Sequence, residues 1–430
     1  MKKGVIIATL HFIILTTLSL IKYENLQYCS LDLGIFTQSL SSILHGMFLY
    51  NTVEFQMYGA STHFAVHFQP ILLLIFPLFA VFKSPITLLI LQSFALAISV
   101  LIAYLIAMEV NEEIALPVTI LYACNSSLIG IGLFEFHPVS LAVPLLLLSF
   151  LALLKRESKL FYVTSALTLS VKEDAFLGIL GILAWDTLKN GVSRRKIIEV
   201  LCVLFYGILV IKVVIPLFGG RYIYESLYKS INIDQRKLLY FITVNATFSF
   251  LPFLDYESVI LLFLPWLESL LSSRPTQTMI GFHYSYMIVP LSFIASVYGA
   301  KKLNKRALGG LVVAGILVSL ATLPITFSPN KEDLSVVHYA RLHQYPRKNA
   351  FWELIKLVNG SVYTQPRFYA PLSTKIDVYV YPRGAKVEYI LLDMTTYRGR
   401  IWLKRFGRIN KVRVKVIKCI NGVCLFRVQK

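Results

Sequence analysis

Charge is what this sequence has least of. Of its 430 residues only 15% are Asp, Glu, Lys or Arg, while 56% are hydrophobic. A soluble domain carries about 25% charged residues, so a water-soluble globular protein is excluded. The N-terminal run "MKKGVIIATLHFIILTTLSLIKY" lacks a small-residue cleavage site, and its apolar core is long enough to span a bilayer. It reads as an uncleaved first helix. Aromatic stacking motifs and a helix-turn-helix are missing too, which argues against nucleic acid as a partner despite the net charge of +19. The chain also shows no internal repeat, the usual mark of a transporter built from matching halves.

What is present is a series of apolar stretches ended by charge clusters or Pro/Gly breaks, the pattern of an α-helical polytopic membrane protein. Basic clusters at Lys2 and Lys3, "KRESK" (155–159), "RRK" (194–196) and "KKLNKR" (301–306) belong in the cytoplasm by the positive-inside rule. Satisfying all four predicts eleven spans, at 4–21, 85–108, 114–132, 139–154, 160–172, 175–190, 197–218, 238–254, 257–272, 283–300 and 307–326. Segment 69–83, short and broken by an inner proline, reads as an interfacial or re-entrant helix. The loops at 22–84, 133–138, 173–174, 219–237 and 273–282 then face outside. Residues 1–328 form the membrane body, with 22–84 as a long first outer loop, and residues 329–430 form a small extracytoplasmic α/β domain.

That tail holds 20 Lys and Arg against 6 Asp and Glu, a net +14 of the total +19. Its basic surface suits anionic headgroups or phosphate-bearing lipids. In "RKNAFWELIKLV", Phe351, Leu354, Ile355 and Val358 share one helical face, while "KVRVKVIKC" alternates like a half-buried strand. "KCINGVCLF" reads as a two-residue hairpin turning at Asn421-Gly422. Cys419 and Cys424 then face each other across a non-hydrogen-bonded pair, with Cα atoms about 4.5 Å apart, within disulfide reach. Two reduced thiols are the alternative. A disulfide calls for an oxidising compartment, in agreement with an outside tail. Cys29, Cys124 and Cys202 follow no pattern.

Ionisable residues gather at the predicted outer mouth: Asp32, His63, His67, Glu135, His137, Glu173, Asp174 and His283. Of eight histidines, six lie in the membrane body and five of those on its outer side. Acids and imidazoles at one mouth suit acid/base chemistry or metal binding. Each has a plainer reading. Asp32 fits an N-cap of the helix that follows. His63 and His67 have a spacing compatible with a divalent metal, yet the sequence fixes no third ligand, so hydrogen-bonded structural histidines explain them better. Glu173 and Asp174 suit first-turn acids opposing a helix dipole, with Lys172 beside them to neutralise one. Glu135 and His137, two apart before Pro138, belong to a turn leading into a helix.

In order along the chain, "DLGIFTQSL", "HFAVHFQPILLLIFPLF", "FEFHPVSLAVPLLLL", "VKEDAF" and "GFHYSY" resemble a family of predicted bacterial and archaeal membrane proteins defined as a domain of unknown function. That family is in turn similar to the GT-C glycosyltransferases. This second resemblance implies a multi-helix body, an essential acid on a long first outer loop, a soluble outer domain and polyprenyl-phosphate sugar donors. Carried over, Asp32 falls at the first-loop acid and Glu135 at a second outer acid. The first loop departs from the pattern in having no neighbouring acid, since Glu24 and Glu54 lie far along the chain.

These features point to sugar transfer from a polyprenyl-phosphate donor, with Asp32 as base and Glu135 assisting. His63, His67, His137, Arg221 and Arg274 are candidates for the phosphate, and Glu173, Asp174 and His283 complete the substrate site. A divalent metal is a possible cofactor. A proton-coupled transporter and a non-catalytic scaffold are the competing readings. The orientation is open to a direct test. Thiol reagents on intact, unreduced cells should miss Cys419 and Cys424 and find them only after reduction and denaturation. Free thiols labelled only after lysis would reverse the orientation.

Overall fold

The computed structural model describes residues 1–220, 222–229 and 232–429. It opens with α1 (Lys2–Glu24), a 23-residue helix, long enough at about 1.5 Å per residue to cross a bilayer core of about 30 Å. The first loop folds into α2 (Asp32–Ile43), α3 (Thr52–Tyr58) and α4 (Ile71–Phe82). Next comes α5 (Pro85–Val110), started by the Ser84 side chain and a proline in its first turn. Then α6 (Glu112–Ala123) and α7 (Ser126–Leu133) meet at a 46° bend. Asn125 explains the break, because its side chain caps a new helix by accepting from the N–H groups of Ser127 and Leu128.

The body continues through α8 (Val139–Leu154), α9 (Ser158–Leu169), α10 (Phe176–Asn190) and α11 (Arg194–Leu209). A π-turn at Val210–Val214 joins α11 to α12 (Ile215–Leu217). The rest is α13 (Gln235–Ala246), α14 (Ile260–Leu271), α15 (Ile288–Ala300) and α16 (Lys305–Ala321). Helices therefore occupy every stretch the sequence marks as a span. Among the described residues three of them, Lys2–Glu24, Pro85–Val110 and Arg194–Leu217, are long and apolar enough to cross a membrane, or four if α6 and α7 form one bent span. Eleven unaided crossings go beyond that.

The best-buried of the three is α5, with 61% of its apolar window covered, against 28% for α1 and 22% for Arg194–Leu217. The latter two turn bare rows such as Ile6, Leu10 and Ile13, or Leu201, Phe205 and Ile208, outward. Lipid tails are as apolar as leucine, so helices there are held by close approach and interhelical hydrogen bonds. A Cβ at Gly181 would lie 2.8 Å from the Leu261 carbonyl oxygen, and one at Gly299 would lie 2.0 Å from that of Leu251. Asn125 donates to Thr247 at 2.7 Å, and Ser149 to Thr164 at 2.9 Å.

After a two-residue parallel pair, β1 (Ile325–Thr326) with β2 (Ala340–Arg341), the chain forms a small mixed unit. It comprises α17 (Lys348–Leu354), β3 (Val362–Thr364), α18 (Pro366–Leu372), β4 (Val378–Tyr379), β5 (Tyr389–Asp393), α19 (Tyr397–Asn410), β6 (Arg413–Ile420) and β7 (Val423–Gln429). The sheet order is β4-β3-β5-β7-β6, parallel from β4 to β5 and antiparallel through β7 and β6. The hairpin pairs Ile420 with Val423 and Cys419 with Cys424, Asn421 and Gly422 both have positive φ, and a disulfide joins the two cysteines. β6 is an edge strand and mostly exposed, not half-buried.

This unit grips the first loop. The Gln38 amide donates to the carbonyls of Lys375 and Ile376 (3.2 and 2.8 Å). Its Oε1 accepts from the Thr52 N–H and the Tyr369 hydroxyl, both at 2.8 Å. Gly34 is needed for that approach, because a Cβ there would fall 2.2 Å from the Tyr369 ring. The sheet thereby fixes α2 and α3 over the end of the helical body.

Candidate functional site

Helix ends build the site. At the end of α7 the chain leaves helix for "FEFHP" (134–138), which exposes carbonyls that need donors. Lys22, in the last turn of α1, supplies them, donating to the Leu133 and Phe134 carbonyls at 2.7 and 3.2 Å. Glu135, only 2% exposed, then reaches α2. Its two oxygens accept from the backbone N–H groups of Ser30 at 2.5 Å and Leu33 at 2.9 Å. Such a cap is needed because the N-cap residue of α2 is Leu31, held left-handed at φ 82° with no side-chain bond to offer. A leucine in that region costs roughly 1–2 kcal/mol. Burial raises the Glu135 pKa, and Lys22 and the two N–H groups only partly offset it.

Asp32 therefore does not cap its helix. It is the first residue of α2, and its carboxylate has no hydrogen-bond or ion-pair partner among the described residues. It stands where two cavities meet. The wider, of about 320 Å³, is lined by Asp32, Glu54, His63 and Phe36, and opens past exposed Met57, Tyr58 and Tyr381. The narrower, of about 90 Å³, is lined by Lys172, Arg274, His283, Tyr228 and Glu268. Asp32, His67, His137 and Tyr224 line both. Burial, then the charges of Glu135 and Glu54, holds the Asp32 carboxyl well above the usual carboxylate range.

The histidines have separate partners. His63 bridges Glu54 and Gln69, each at 2.8 Å. Burial alone would lower its pKa, but the Glu54 carboxylate outweighs burial and raises it. His67 meets buried Glu173 at 2.7 Å and stacks on Tyr224 at 4.6 Å. Burial would raise Glu173, yet His67 and Lys172 leave it below its ordinary value. His137 stacks on His283 with ring centres 4.0 Å apart, and burial followed by that neighbour pushes its pKa well down. A neutral imidazole pair results. Lys172 pairs with Asp174, which also accepts from the Tyr286 hydroxyl at 2.5 Å. Arg274 donates to the Tyr284 hydroxyl at 2.9 Å and lies over the Tyr224 ring.

The structure thus brings Asp32, Glu135, His63, His67, His137, Glu173, Asp174, Arg274 and His283 to one end of the body. Arg221 lies outside the described residues. Cys419 and Cys424 line neither cavity, and His45 faces a separate hollow beside Lys375. No group of three His, Cys, Asp or Glu side chains able to hold a metal ion occurs among the described residues. Glu54, which the sequence separates from Asp32 by 21 intervening positions, lines the same cavity. Glu268 and the tyrosines complete the wall without having been marked by the sequence reading. Glu268 carried a usable signal, since an acid inside the apolar run "ILLFLPWLESLL" is a functional candidate by default.

All of these described site residues fall within residues 22–413, the stretch matched by a family described as "Predicted membrane protein (DUF2079)". The chain belongs to that family. It is accordingly a membrane protein, seated in a lipid bilayer. No curated protein and no solved structure matches it, so the GT-C resemblance gains no support from that side. The match also takes in β1 through α19, and so most of the C-terminal unit.

Glu135 read from sequence looks like a wet residue whose change to Gln would shift stability by less than about 1 kcal/mol. Burial overturns that expectation. A glutamine turns its amide toward either the Ser30 N–H or the buried Leu33 N–H, and an unsatisfied buried donor costs about 1–3 kcal/mol. Glu135→Gln should therefore lower the thermal unfolding midpoint in detergent and loosen α2 in hydrogen exchange. An unchanged midpoint and unchanged exchange would show that Glu135 does not hold α2.

Proposed function

We propose that the protein transfers a sugar from a polyprenyl-phosphate donor to an acceptor hydroxyl at the outer face of the membrane. The observation that carries this reading is the unpartnered Asp32 carboxylate at the junction of a cation-bearing cavity and an acid-bearing one. The donor phosphate lies against Arg274 and Lys172, with the guanidinium offering a two-pronged donor. The acceptor enters the wider cavity past Tyr58 and Tyr381. Asp32 takes the hydroxyl proton, the freed oxygen bonds to the anomeric carbon, and the bond from that carbon to the phosphate oxygen breaks. Polyprenyl phosphate leaves, its developing charge met by the two cations. A carboxylate whose pKa is raised toward working pH is a stronger base, and the same shift gives an acid limb above the ordinary carboxylate range. The prenyl chain runs beside α4, where Leu73, Leu74 and Leu78 are exposed.

In this reading the site end and residues 329–430 face outside, the N-terminus is cytoplasmic, and the shorter helices complete eleven crossings. Supporting it, the basic stretches 155–159, 194–196 and 301–306 lie at the ends of α8, α10 and α15 opposite the site. One observation favours a second reading: α6 and α7 break at 46°, one eight-residue helix before Glu135, and broken helices carry the sites of many proton-coupled transporters.

Asp32→Asn separates them. Asp32 bonds to nothing among the described residues, so the variant should fold normally, while transfer from a labelled polyprenyl-phosphate sugar should fall about 10²–10⁴-fold. Full turnover in the variant would remove Asp32 from the chemistry. Proton-driven uptake lost in the variant, with no transfer in the wild type, would establish transport instead.

A further inference from the structure

A third cavity, of about 660 Å³, lies at the opposite end of the body. His137 precedes α8, and Leu153, Leu154 and Arg156 follow or close it, so a helix of 16 residues separates the two places. That is about 24 Å at 1.5 Å per residue. The cavity joins two basic stretches that are far apart in sequence, after α8 and at the start of α11. Its charged lining is Arg156, Lys189, Arg195 and Lys196 against Asp186 and Glu199.

Three of those cations are already paired. Lys196 meets Asp186 at 2.8 Å, Arg195 meets Glu199 at 2.8 Å, and Lys189 pairs with Glu257. Arg156 has no ion-pair partner among the described residues. Its backbone is left-handed, φ 57°, in the closing turn of α8, a conformation that costs a non-glycine residue roughly 1–2 kcal/mol. That conformation closes α8 with the Arg156 N–H on the Leu153 carbonyl and the Glu157 N–H on the Ala152 carbonyl, an ordinary helix stop that turns the Arg156 side chain out at the cavity mouth. Beside it, Arg195 also donates to the Ser158 hydroxyl at 3.2 Å. Deeper in, the wall is apolar and aromatic, with buried Phe161 and Trp185 and the Tyr298 ring 5.3 Å from the Trp185 ring. Outside, Leu160, Val192, Ile197 and Leu201 are bare.

From this geometry we propose that the cavity binds a phosphate-bearing amphiphile. The phosphate sits between Arg156, Arg195 and the Ser158 hydroxyl, and the apolar portion lies along Phe161, Trp185 and Leu153. Its volume falls in the range of about 300–1,000 Å³ usual for small-molecule sites. The site is independent of the proposed sugar transfer and of which way the protein faces.

The test is lipid retention by the purified full-length protein, read by native mass spectrometry. Phosphatidylglycerol should be retained at least 10-fold better than phosphatidylcholine. Arg156→Gln, and separately Arg195→Gln, should each remove most of that preference. Arg306→Gln, an exposed change in another basic stretch, should leave it intact and so excludes a general charge effect. Displacement of the lipid by equimolar glycerol 3-phosphate would assign the same site to a soluble phosphate ester. Equal retention of the two lipids with no displacement by the ester, or loss of the preference in Arg306→Gln to the same degree, would overturn the proposal.

Discussion

Everything at the site depends on one carboxylate holding one helix end. Glu135 is buried, yet it meets two backbone N–H groups at the start of α2 and lies close enough to Lys22 for that ammonium to favour its charged form. An ionised acid in such a place costs several kcal/mol unless its oxygens are satisfied. The N–H groups and the partial positive charge of the helix end offset that cost. The consequence reaches Asp32. With capping done from outside by Glu135, the first residue of α2 is released from a structural duty and can present a bare carboxylate.

The C-terminal sheet completes the constraint from the other side. Gln38 is bonded to three tail carbonyls and to Tyr369, so α2 cannot shift without breaking a buried network. Partly satisfied networks of this sort are costly, and complete ones rigidify. Tyr381 of the same unit forms part of the rim of the wider cavity. The tail is thus a wall and a clamp for the site, consistent with a family match that runs through both.

Much of this was legible in the residues. Hydropathy marked the apolar helices of the body, because an apolar run reports burial or lipid directly, but it passed over α3, α18 and α19, and "INGV" specified its hairpin through the turn chemistry alone. Pairings were harder. Glu135 as a cap for α2 involves residues about 100 positions apart, and nothing local to "FEFHP" shows that its acid is needed by a leucine at position 31. Glu54 was hidden for the same reason: chain distance from Asp32 says nothing once α2 and α3 fold against each other. Helix length was also hard to read, since α13, α14 and α15 run only 12 or 13 residues, short of the roughly 20 of a lone span, within apolar stretches that the sequence marks as longer.

The two ends of the body share a design. At each, cations stand beside apolar walls near helix ends, but among the described residues the acids lining the far cavity, Asp186 and Glu199, are paired, whereas Asp32 is not. The central claim is that this acid is bare, half-buried and held toward neutrality by desolvation and by the charges of Glu135 and Glu54. A pH titration of its carboxyl stretch, by difference infrared spectroscopy against Asp32→Asn, tests that most directly. The account predicts a protonated carboxyl signal that persists well above the ordinary aspartate value of about 3.9. A signal that titrates at that ordinary value would contradict it.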